Sequence, residues 1–259
     1  MTATPRVSVV LPLRDAAATL ADALHSLAAQ SLADFECLLV DNGSQDASPA
    51  IAAAAAARDA RFRVLRADGG LVQALNHGVE AARAGLIARM DADDLAHPRR
   101  LERQWQLLHD DAGLSVASCL VECFPAAALG DGMRRYQAWL NGLCTPEAIR
   151  DALFVESPIA HPSAMLRRQA LVEAGGYRAF DGPEDYDLWL RLLLHGHRAA
   201  KVPEVLLRWR DSPRRLSRVD RRYHRRRFLA TKIEHFPAAV TRGTPLQIWG
   251  AGPTGRRWA

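Results

Sequence analysis

Short apolar runs alternate with longer segments of helical periodicity over the first 91 residues. Four of these runs have the length and composition of buried strands: 7–13, 35–41, 62–67 and 86–91. Three segments between them have helical spacing or long alanine runs: 16–31, 48–60 and 69–85. This alternation predicts βαβ units, whose right-handed crossovers place helices on both faces of an open, mostly parallel α/β sheet.

Polar segments follow three of these strands. In open parallel sheets, ligands bind beyond the carboxyl ends of the strands. Residues 12–15 ("PLRD"), 41–46 ("DNGSQD") and 91–94 ("DADD") should therefore meet at one rim. The acidic cluster at 91–94 has three interpretations. It could hold a hard cation such as Mg²⁺ or Mn²⁺, favour the start of a helix expected over 93–108, or form a solvated loop.

A second acidic segment lies at a predicted helix start in the other half of the chain. The stretch "FDGPEDYDLWLRLLLHGH" has Pro183, Glu184, Asp185 and Asp187 in the first turn and a glycine near its end. In isolation these acids are either ordinary helix-start residues or candidate proton acceptors. A base needs a suitable pKa, which the helix N-terminus lowers and burial raises, and the sequence leaves that balance open.

Three motifs in this order resemble the inverting glycosyltransferases of family 2. They are "VSVVLPLRDAAATLADALHSLAAQSLADFECLLVDNGSQDAS", "ALNHGVEAARAGLIARMDADD" and "EDYDLWLRLLLHG", and the resemblance extends from about residue 6 to residue 217. It implies the nucleotide-diphospho-sugar transferase fold, of GT-A type. It also implies inverting transfer from a nucleoside-diphosphate sugar, typically a UDP-sugar, to an acceptor hydroxyl with Mg²⁺ or Mn²⁺. The expected setting is bacterial cell-surface polysaccharide or glycolipid synthesis.

The resemblance also implies roles for the acids. Asp185 corresponds to the general base, and Glu184 to a residue that orients the acceptor or its neighbour. Asp91 and Asp93 match the Asp-x-Asp motif, with Asp93 as the direct metal ligand and Asp91 in contact with ribose or metal. Asp41 matches the acid that reads the base, although an Asx turn before a helix is the alternative interpretation of that residue.

Further nucleotide-sugar contacts are implied by three short motifs. The matching residues are Pro12, Leu13, Arg14, Gly43, Ser44 and Asn76, the last of these within an Asn-x-Gly pair with Gly78. The family commonly has an aromatic residue and an asparagine directly after the proline, so the contacts with base and ribose stay open here. Leu75 also stands where an arginine is frequent.

The predicted domain organisation is a glycosyltransferase domain over 1–235. Its parts are a nucleotide-sugar-binding region at about 6–120, an acceptor and catalytic region at about 121–217, and a basic helical segment at about 208–235. Residues 245–259 contain Gly-x-Gly-x-x-Gly after an apolar run, which is expected to be the beginning of a truncated second α/β domain. A dinucleotide site needs a whole βαβ unit, so none is predicted there.

The net charge of +5 is concentrated in one segment, because residues 208–227 contain ten arginines and two aspartates. One interpretation is an exposed helix with Leu216, Val219, Tyr223 and Leu229 toward the core. Another is a basic surface for an anionic membrane that carries a lipid-linked acceptor. Contact of Arg210 or Arg215 with a diphosphate is compatible with either. Nucleic acid is not an expected partner, since no reader module accompanies the charge.

The expected location is cytoplasmic, with peripheral contact at the inner face of the membrane. No run of 18 apolar residues is present, and we expect no signal peptide because the first residues lead directly into a strand pattern. Four cysteines in 259 residues suggest reduced thiols. The expected partners are the sugar donor and a saccharide or lipid-linked acceptor. Two alternatives remain. A sugar-nucleotide pyrophosphorylase would have a glycine-rich loop after the first strand, and a non-catalytic relative would lack Asp93 or Asp185.

Overall fold

The computed structural model describes residues 4–213 and 215–240. Within these residues, eight strands form one sheet: β1 (Val7–Leu13), β2 (Phe35–Asp41), β3 (Phe62–Arg66), β4 (Leu86–Arg89), β5 (Leu95–Ala96), β6 (Leu114–Phe124), β7 (Met165–Arg167) and β8 (Arg198–Arg210). Seven helices flank this sheet: α1 (Leu20–Ala28), α2 (Ser48–Arg58), α3 (Leu71–Ala81), α4 (Arg100–Asp110), α5 (Asp131–Gly142), α6 (Pro146–Asp151) and α7 (Arg168–Glu173). Three more complete the order: α8 (Glu184–Leu194), α9 (Leu216–Val219) and α10 (Arg225–Ala239). The predicted stub at 245–259 lies outside the described residues.

The sheet is open and mixed, with the strand order β3-β2-β1-β4-β7-β6-β8-β5. Strands β1 to β4 pair in parallel, as predicted, with Val9 opposite both Cys37 and Ala88. β7 then runs antiparallel to β4 and β6, and β5 runs antiparallel to β8. The open α/β sheet is confirmed, and its antiparallel strands all lie in the half that the apolar pattern did not resolve.

Helices cover both faces because successive side chains of the central strands alternate between two apolar clusters. Every residue of β1 and β2 is buried. Val9 and Leu11 pack on the face that carries leucines of α1 and α4. Val10 packs on the opposite face, with α3 and α8. The continuous apolar runs of these strands follow from this two-sided burial.

Gly78 lets helix α3 approach strand β1 closely. A β-carbon built at this position would lie 2.5 Å from Cγ1 of Val10, which is shorter than any ordinary contact. The Asn-x-Gly pair therefore has a packing role on its glycine side. Helix α3 ends at Ala81 rather than at the predicted Gly85, and the N–H of Arg83 donates to buried Glu36 at 2.7 Å.

The structure corrects two predicted helices. The aspartates at 91–94 do not start a helix, because β5 intervenes by pairing with β8 and α4 begins only at Arg100. The basic segment 208–227 is not one helix either. Its first residues end β8, and a turn, α9 and a 3-10 turn follow before α10 begins. Leu216 and Val219 are 41% and 63% exposed, so the expected core contacts of these two residues are wrong.

Candidate active site

The loops after β1 and β2 are hydrogen-bonded to each other at the rim of the sheet. Asp15 donates its N–H to Oγ of Ser44 at 3.1 Å, and its carboxylate accepts the N–H of Gln45 at 2.7 Å. Ala16 donates its N–H to Oγ of Ser48 at 2.8 Å. Asp15 has a φ of 49°, an uncommon conformation for an aspartate. The two loops thus form one polar surface beyond the carboxyl ends of the strands, where ligands of open parallel sheets bind.

Pro12 and Leu13 lie within β1, and both are buried. The carbonyl of Leu13 accepts the N–H of Asn42 at 2.9 Å, so its backbone is also engaged. Arg14 has a 63% exposed side chain and lies 3.8 Å from the carboxylate of Asp15. Of the three residues predicted to follow the nucleoside, Arg14 is the one whose side chain faces the rim. Their contacts with a nucleotide stay predictions.

Asp41 ends β2, and its side chain holds the turn that follows through the N–H three residues on, not two residues on as in an Asx turn. Its Oδ1 accepts the N–H of Ser44 at 3.1 Å, and the residue is 3% exposed. Gly43 has a φ of 74° in this turn, a conformation that side chains other than hydrogen disfavour. The second carboxylate oxygen of Asp41 accepts no hydrogen bond from the described residues. Recognition of the base by Asp41 stays a prediction.

Asn76 connects the two halves of the fold. Its amide nitrogen donates to the carbonyl of Tyr177 at 2.8 Å, and its amide oxygen accepts the N–H of Tyr177 at 2.9 Å. A β-carbon on Gly176, which has a φ of 67°, would lie 2.9 Å from this oxygen. Since both polar atoms of the amide are used, the contact that Asn76 was predicted to make with the nucleotide sugar stays without direct support.

Asp91, Asp93 and Asp94 form the acidic cluster directly after β4. Each offers a carboxylate oxygen, and these oxygens lie within 4.8 Å of one another. Burial, followed by the charge of Asp91, raises the pKa of Asp93 to about 6. Burial and the charges of Asp91 and Asp93 also raise the pKa of Asp94, which is fully buried. The backbone is held by Thr19, whose hydroxyl donates to the carbonyl of Ala92 at 3.0 Å.

Arg210 holds the acidic cluster from the opposite side. Its N–H donates to Oδ1 of Asp94 at 2.7 Å, and its Nε donates to the carbonyl of Asp93 at 2.7 Å. Arg215 stacks over Trp209 at 3.8 Å from the ring centroid, and its charge lowers the pKa of Asp93. These two arginines are the ones that the sequence suggested for a diphosphate, and both lie beside the aspartates.

Arg89 places a buried positive charge near both acidic groups of the site. It is 4% exposed, pairs with Asp91 and has an Nε without a hydrogen-bond partner in the described part of the chain. Its charge lowers the pKa of both Asp93 and Asp185. The side chain therefore lies close enough to influence the carboxylates after β4 and those at the start of α8.

Glu184 and Asp185 begin helix α8, as predicted, after Pro183. Glu184 is 2% exposed, and both of its carboxylate oxygens lie 2.7 Å from the hydroxyl of Tyr223. Asp185 is half-buried and accepts the N–H of Tyr186 at 2.8 Å. Burial, followed by the charge of Glu184, raises the pKa of Asp185 to about 7. The sequence left open whether the helix N-terminus would lower this pKa or burial would raise it, and in the structure the effect of burial is the larger.

Asp187 has a structural role. Its Oδ2 lies 2.8 Å from Arg191 and its Oδ1 lies 2.8 Å from Nε2 of His235. Burial by itself would raise the pKa of Asp187, but these partners hold it below the ordinary value. Asp187 is thus the centre of a buried ion pair that fixes α8 against α10, and it contacts different groups from Asp185.

The acidic cluster fits a divalent metal ion. Mg²⁺ and Mn²⁺ prefer oxygen ligands, and Mg²⁺ is usually bound by one or two carboxylates with substrate phosphates. Asp93 is half-buried, and Oδ2 of Asp94 is a buried oxygen without a hydrogen-bond partner in the described residues. Burial, together with the neighbouring negative charges, raises the pKa of Asp93 and Asp94, so their ionised forms are poorly stabilised. A cation next to them would stabilise these forms.

The fold and the site together define a class of protein. The open sheet is parallel in one half, and at the rim of that half lie two hydrogen-bonded loops and an acidic cluster. A further acid, at the start of a helix, lies near the same buried arginine. This is the arrangement expected of a nucleotide-sugar transferase of GT-A type. The profile of the family "Glycosyl transferase family 2" matches residues 8–176. The chain belongs to this family and is a glycosyltransferase.

Individual proteins agree with this assignment. EpsE of Bacillus subtilis is 30% identical over 220 residues, which cover 82% of this chain and 75% of EpsE. The O-antigen biosynthesis glycosyltransferase WbnJ of Escherichia coli is 29% identical over 178 residues, 66% of this chain and 65% of WbnJ. The structure of the mannosyltransferase PcManGT from Pyrobaculum calidifontis, solved with GDP-Man and Mn²⁺, is also similar, with a TM-score of 0.65 at 20% sequence identity. The superposed region covers 95% of this chain and 67% of the PcManGT chain. That likeness concerns the fold.

Sequence reasoning missed two residues of the site. Arg89 was included in an apolar strand, and a charge inside such a run was the available signal. Tyr223 was expected to face the core, but its hydroxyl contacts Glu184 across 39 positions. No local pattern could have indicated that pair.

Proposed function

We propose that this protein transfers a sugar from a nucleoside-diphosphate donor, a UDP-sugar, to an acceptor hydroxyl with inversion at the anomeric carbon. The observation that supports this most directly is the division of the acids into two groups. Asp91, Asp93 and Asp94 lie after β4, and Asp185 lies at the start of α8; Arg89 pairs with Asp91, and its charge also influences Asp185. One group fits a charged diphosphate and its metal, and the other fits a proton acceptor.

The donor half would be held by the rim of the parallel strands. Arg14 and the Asp41 turn are available to the nucleoside, and Arg210 and Arg215 are available to the diphosphate. Asp93, with Asp91, would hold Mg²⁺ or Mn²⁺. When bound, such an ion supplies Lewis-acid neutralisation of the charge on the leaving diphosphate.

The acceptor half would work through Asp185. The acceptor oxygen forms a bond to the anomeric carbon, and the bond from that carbon to the diphosphate oxygen breaks with its electron pair. The acceptor proton moves to the carboxylate of Asp185. A pKa of about 7 suits this step, because a base is most effective when its pKa lies near the working pH. A single displacement of this kind inverts the configuration.

The direct test is Asp185→Asn, after the donor is found by screening nucleotide sugars for thermal stabilisation with Mn²⁺. Turnover should fall by about 10²–10⁴-fold, while binding of UDP stays at the parental level. Asp181→Asn is a matched control, because Asp181 lies just before the same helix with a 52% exposed side chain. It should keep parental turnover. Near-parental turnover in Asp185→Asn would remove Asp185 from the mechanism.

The acceptor and the cellular setting are part of the same proposal. WbnJ is named for O-antigen biosynthesis. By analogy we place this enzyme in the synthesis of cell-surface polysaccharide or glycolipid, at the cytoplasmic face of the membrane with a saccharide or lipid-linked acceptor. None of the helices in the described residues is long and apolar enough to cross a membrane. The contact with lipid that we propose is peripheral.

The surface proposed for this contact is formed by α9 and the residues after it. Leu216 and Val219 are exposed there, next to the exposed arginines Arg218 and Arg221. Basic residues near an anionic bilayer contribute roughly 1 kcal/mol each, and salt screens them. The protein should sediment with vesicles of anionic lipid at low salt, and Arg218→Glu with Arg221→Glu should reduce this. Equal sedimentation with neutral and anionic vesicles would contradict the proposed contact.

A further inference from the structure

The C-terminal segment, residues 215–240, packs against the start of helix α8. Three of its contacts involve residues of the first turn of α8. Tyr223 donates to Glu184, His235 lies 2.8 Å from Asp187, and Phe228 packs on Tyr186 at 5.5 Å between ring centroids. Asp185 is the one acid of this turn that accepts no hydrogen bond from the described residues of the segment; its donor is the N–H of Tyr186.

The contact of Tyr223 with Glu184 is the most consequential of the three. The phenol hydroxyl is equidistant, at 2.7 Å, from both carboxylate oxygens. Glu184 is 2% exposed, so water provides little alternative solvation. No other side chain in the described part of the protein donates to it. A buried carboxylate with one strong donor depends on that donor to remain charged.

Asp185 is adjacent in sequence and shares the same environment. Two neighbouring carboxyls in a poorly solvated site cannot both ionise freely, and the one with the better donor ionises first. Asp185 accepts the N–H of Tyr186 at 2.8 Å, and no side chain among the described residues donates to it. The donor to Glu184 thus decides which of the two carboxyls is left to take up a proton.

We propose that Tyr223 is a positioning residue that keeps Glu184 ionised and thereby assigns proton transfer to Asp185. The inference rests on the proposed function, in which Asp185 is the base. It extends that function by giving the C-terminal segment a task in the chemistry. Tyr223 acts through Glu184 and need not touch either substrate.

Several charged or titratable groups face this pair. Burial raises the pKa of both carboxyls, and the charge of Glu184 raises that of Asp185 further. The hydroxyl of Tyr223, followed by Arg222, acts in the opposite direction on Glu184, and Arg89, from β4, lowers the pKa of both groups. The phenols near Asp185 are those of Tyr136, Tyr177 and Tyr223, and burial keeps the pKa of each above its ordinary value. These phenols stay neutral at pH 7, so Glu184 is the group whose change of charge would alter Asp185.

The consequence is a defined effect of Tyr223→Phe. Without the hydroxyl, Glu184 retains its proton to higher pH, and Asp185 then ionises beside a neutral neighbour. The titration midpoint of Asp185 should fall by about one pH unit, and that of Glu184 should rise. Asp185 would become a weaker base, so maximal turnover should fall while binding of UDP with Mn²⁺ is unchanged.

The experiment is a pH titration of the full chain, labelled with ¹³C at the carboxyl groups and followed by NMR. Asp185→Asn and Glu184→Gln assign the two signals. Glu184→Gln should itself lower the Asp185 midpoint by about one pH unit, and adding Tyr223→Phe to it should produce no further change. Tyr136→Phe is the matched control. It removes a phenol near Asp185 that donates to the carbonyl of Ser157 at 3.2 Å instead, and should leave the midpoint in place.

Two results would overturn the proposal. One is an Asp185 midpoint that stays at the parental value in Tyr223→Phe. The other is an Asp185 midpoint that stays at the parental value in Glu184→Gln. Because Glu184→Gln leaves Tyr223 unchanged, this second result remains decisive even if Tyr223→Phe does not fold. Neither result concerns the base assignment itself. That assignment fails only if Asp185→Asn keeps its turnover, so the two failures are distinguishable.

Discussion

Replacement of Asp185 by asparagine should increase the stability of the folded protein at pH 8 while it removes the proposed base. The carboxyl has a pKa of about 7 in the fold, compared with an ordinary 3.8. Between these values the folded state binds a proton that the unfolded chain has released. Stability contributed by the protonated carboxyl is therefore lost as the pH rises toward 7, and it is absent above that pH.

The size of the effect follows from this difference in pKa. A fully desolvated group would lose about 4 kcal/mol, at about 1.4 kcal/mol for each tenfold change in proton affinity. Asp185 retains some contact with solvent, so we expect about 1–2 kcal/mol. Asparagine keeps the shape and does not titrate. Urea unfolding should show this gain over the parent at pH 8 and a smaller gain at pH 5.

Asp187→Asn provides a control of opposite sign. The partners Arg191 and His235 hold the pKa of Asp187 below its ordinary value, so this carboxylate stabilises the fold at pH values above about 4. Removing its charge leaves Arg191 buried and unpaired, and should cost about 3 kcal/mol at pH 8. If Asp185→Asn is no more stable than the parent at pH 8, the account of its environment is wrong.

Three further predictions follow from the described contacts. The ratio kcat/KM of the parent should fall below pH about 7, since protonated Asp185 cannot accept a proton; a rate flat from pH 5.5 to 8 would contradict this. Gly78→Ala should lower the free energy of unfolding in urea by about 1–3 kcal/mol, because its methyl group would overlap Val10, and parental stability would refute the packing argument. Arg210→Met should weaken UDP binding with Mn²⁺ by about tenfold in calorimetry, because it frees the carbonyl of Asp93, and unchanged affinity would count against that role.

The parallel half of the fold was predictable because its signals are local. Strands β1 and β2 are buried on both faces, so every residue is apolar or hidden, and the run is visible in the sequence. Two-sided burial also fixes the sheet type and, with it, the rim where ligands bind. The acids at 91–94 were located for the same reason, whereas Glu184 and Asp185 were located from a helix-start pattern and the family resemblance.

The antiparallel half and the detailed contacts of the site were not predictable in this way. Strand β7 has three residues, too few for a periodic pattern. Arg210 meets Asp94 across 116 positions, and no property of either residue alone indicates the other. One interpretation of the basic segment was a helix with apolar residues spaced to face the core. The pairing of β8 and the side chain of Asp220, which accepts the N–H of Arg222, divide that segment instead.

The separation of donor binding from proton transfer is the central claim, and calorimetry of UDP binding tests it most directly. The titration would be made with Mn²⁺ and with EDTA, on the parent, Asp93→Ala and Asp185→Asn. We expect the parent and Asp185→Asn to bind tightly only with Mn²⁺, and Asp93→Ala to lose the difference between the two conditions. Equal UDP affinity of the parent in Mn²⁺ and in EDTA would contradict the claim.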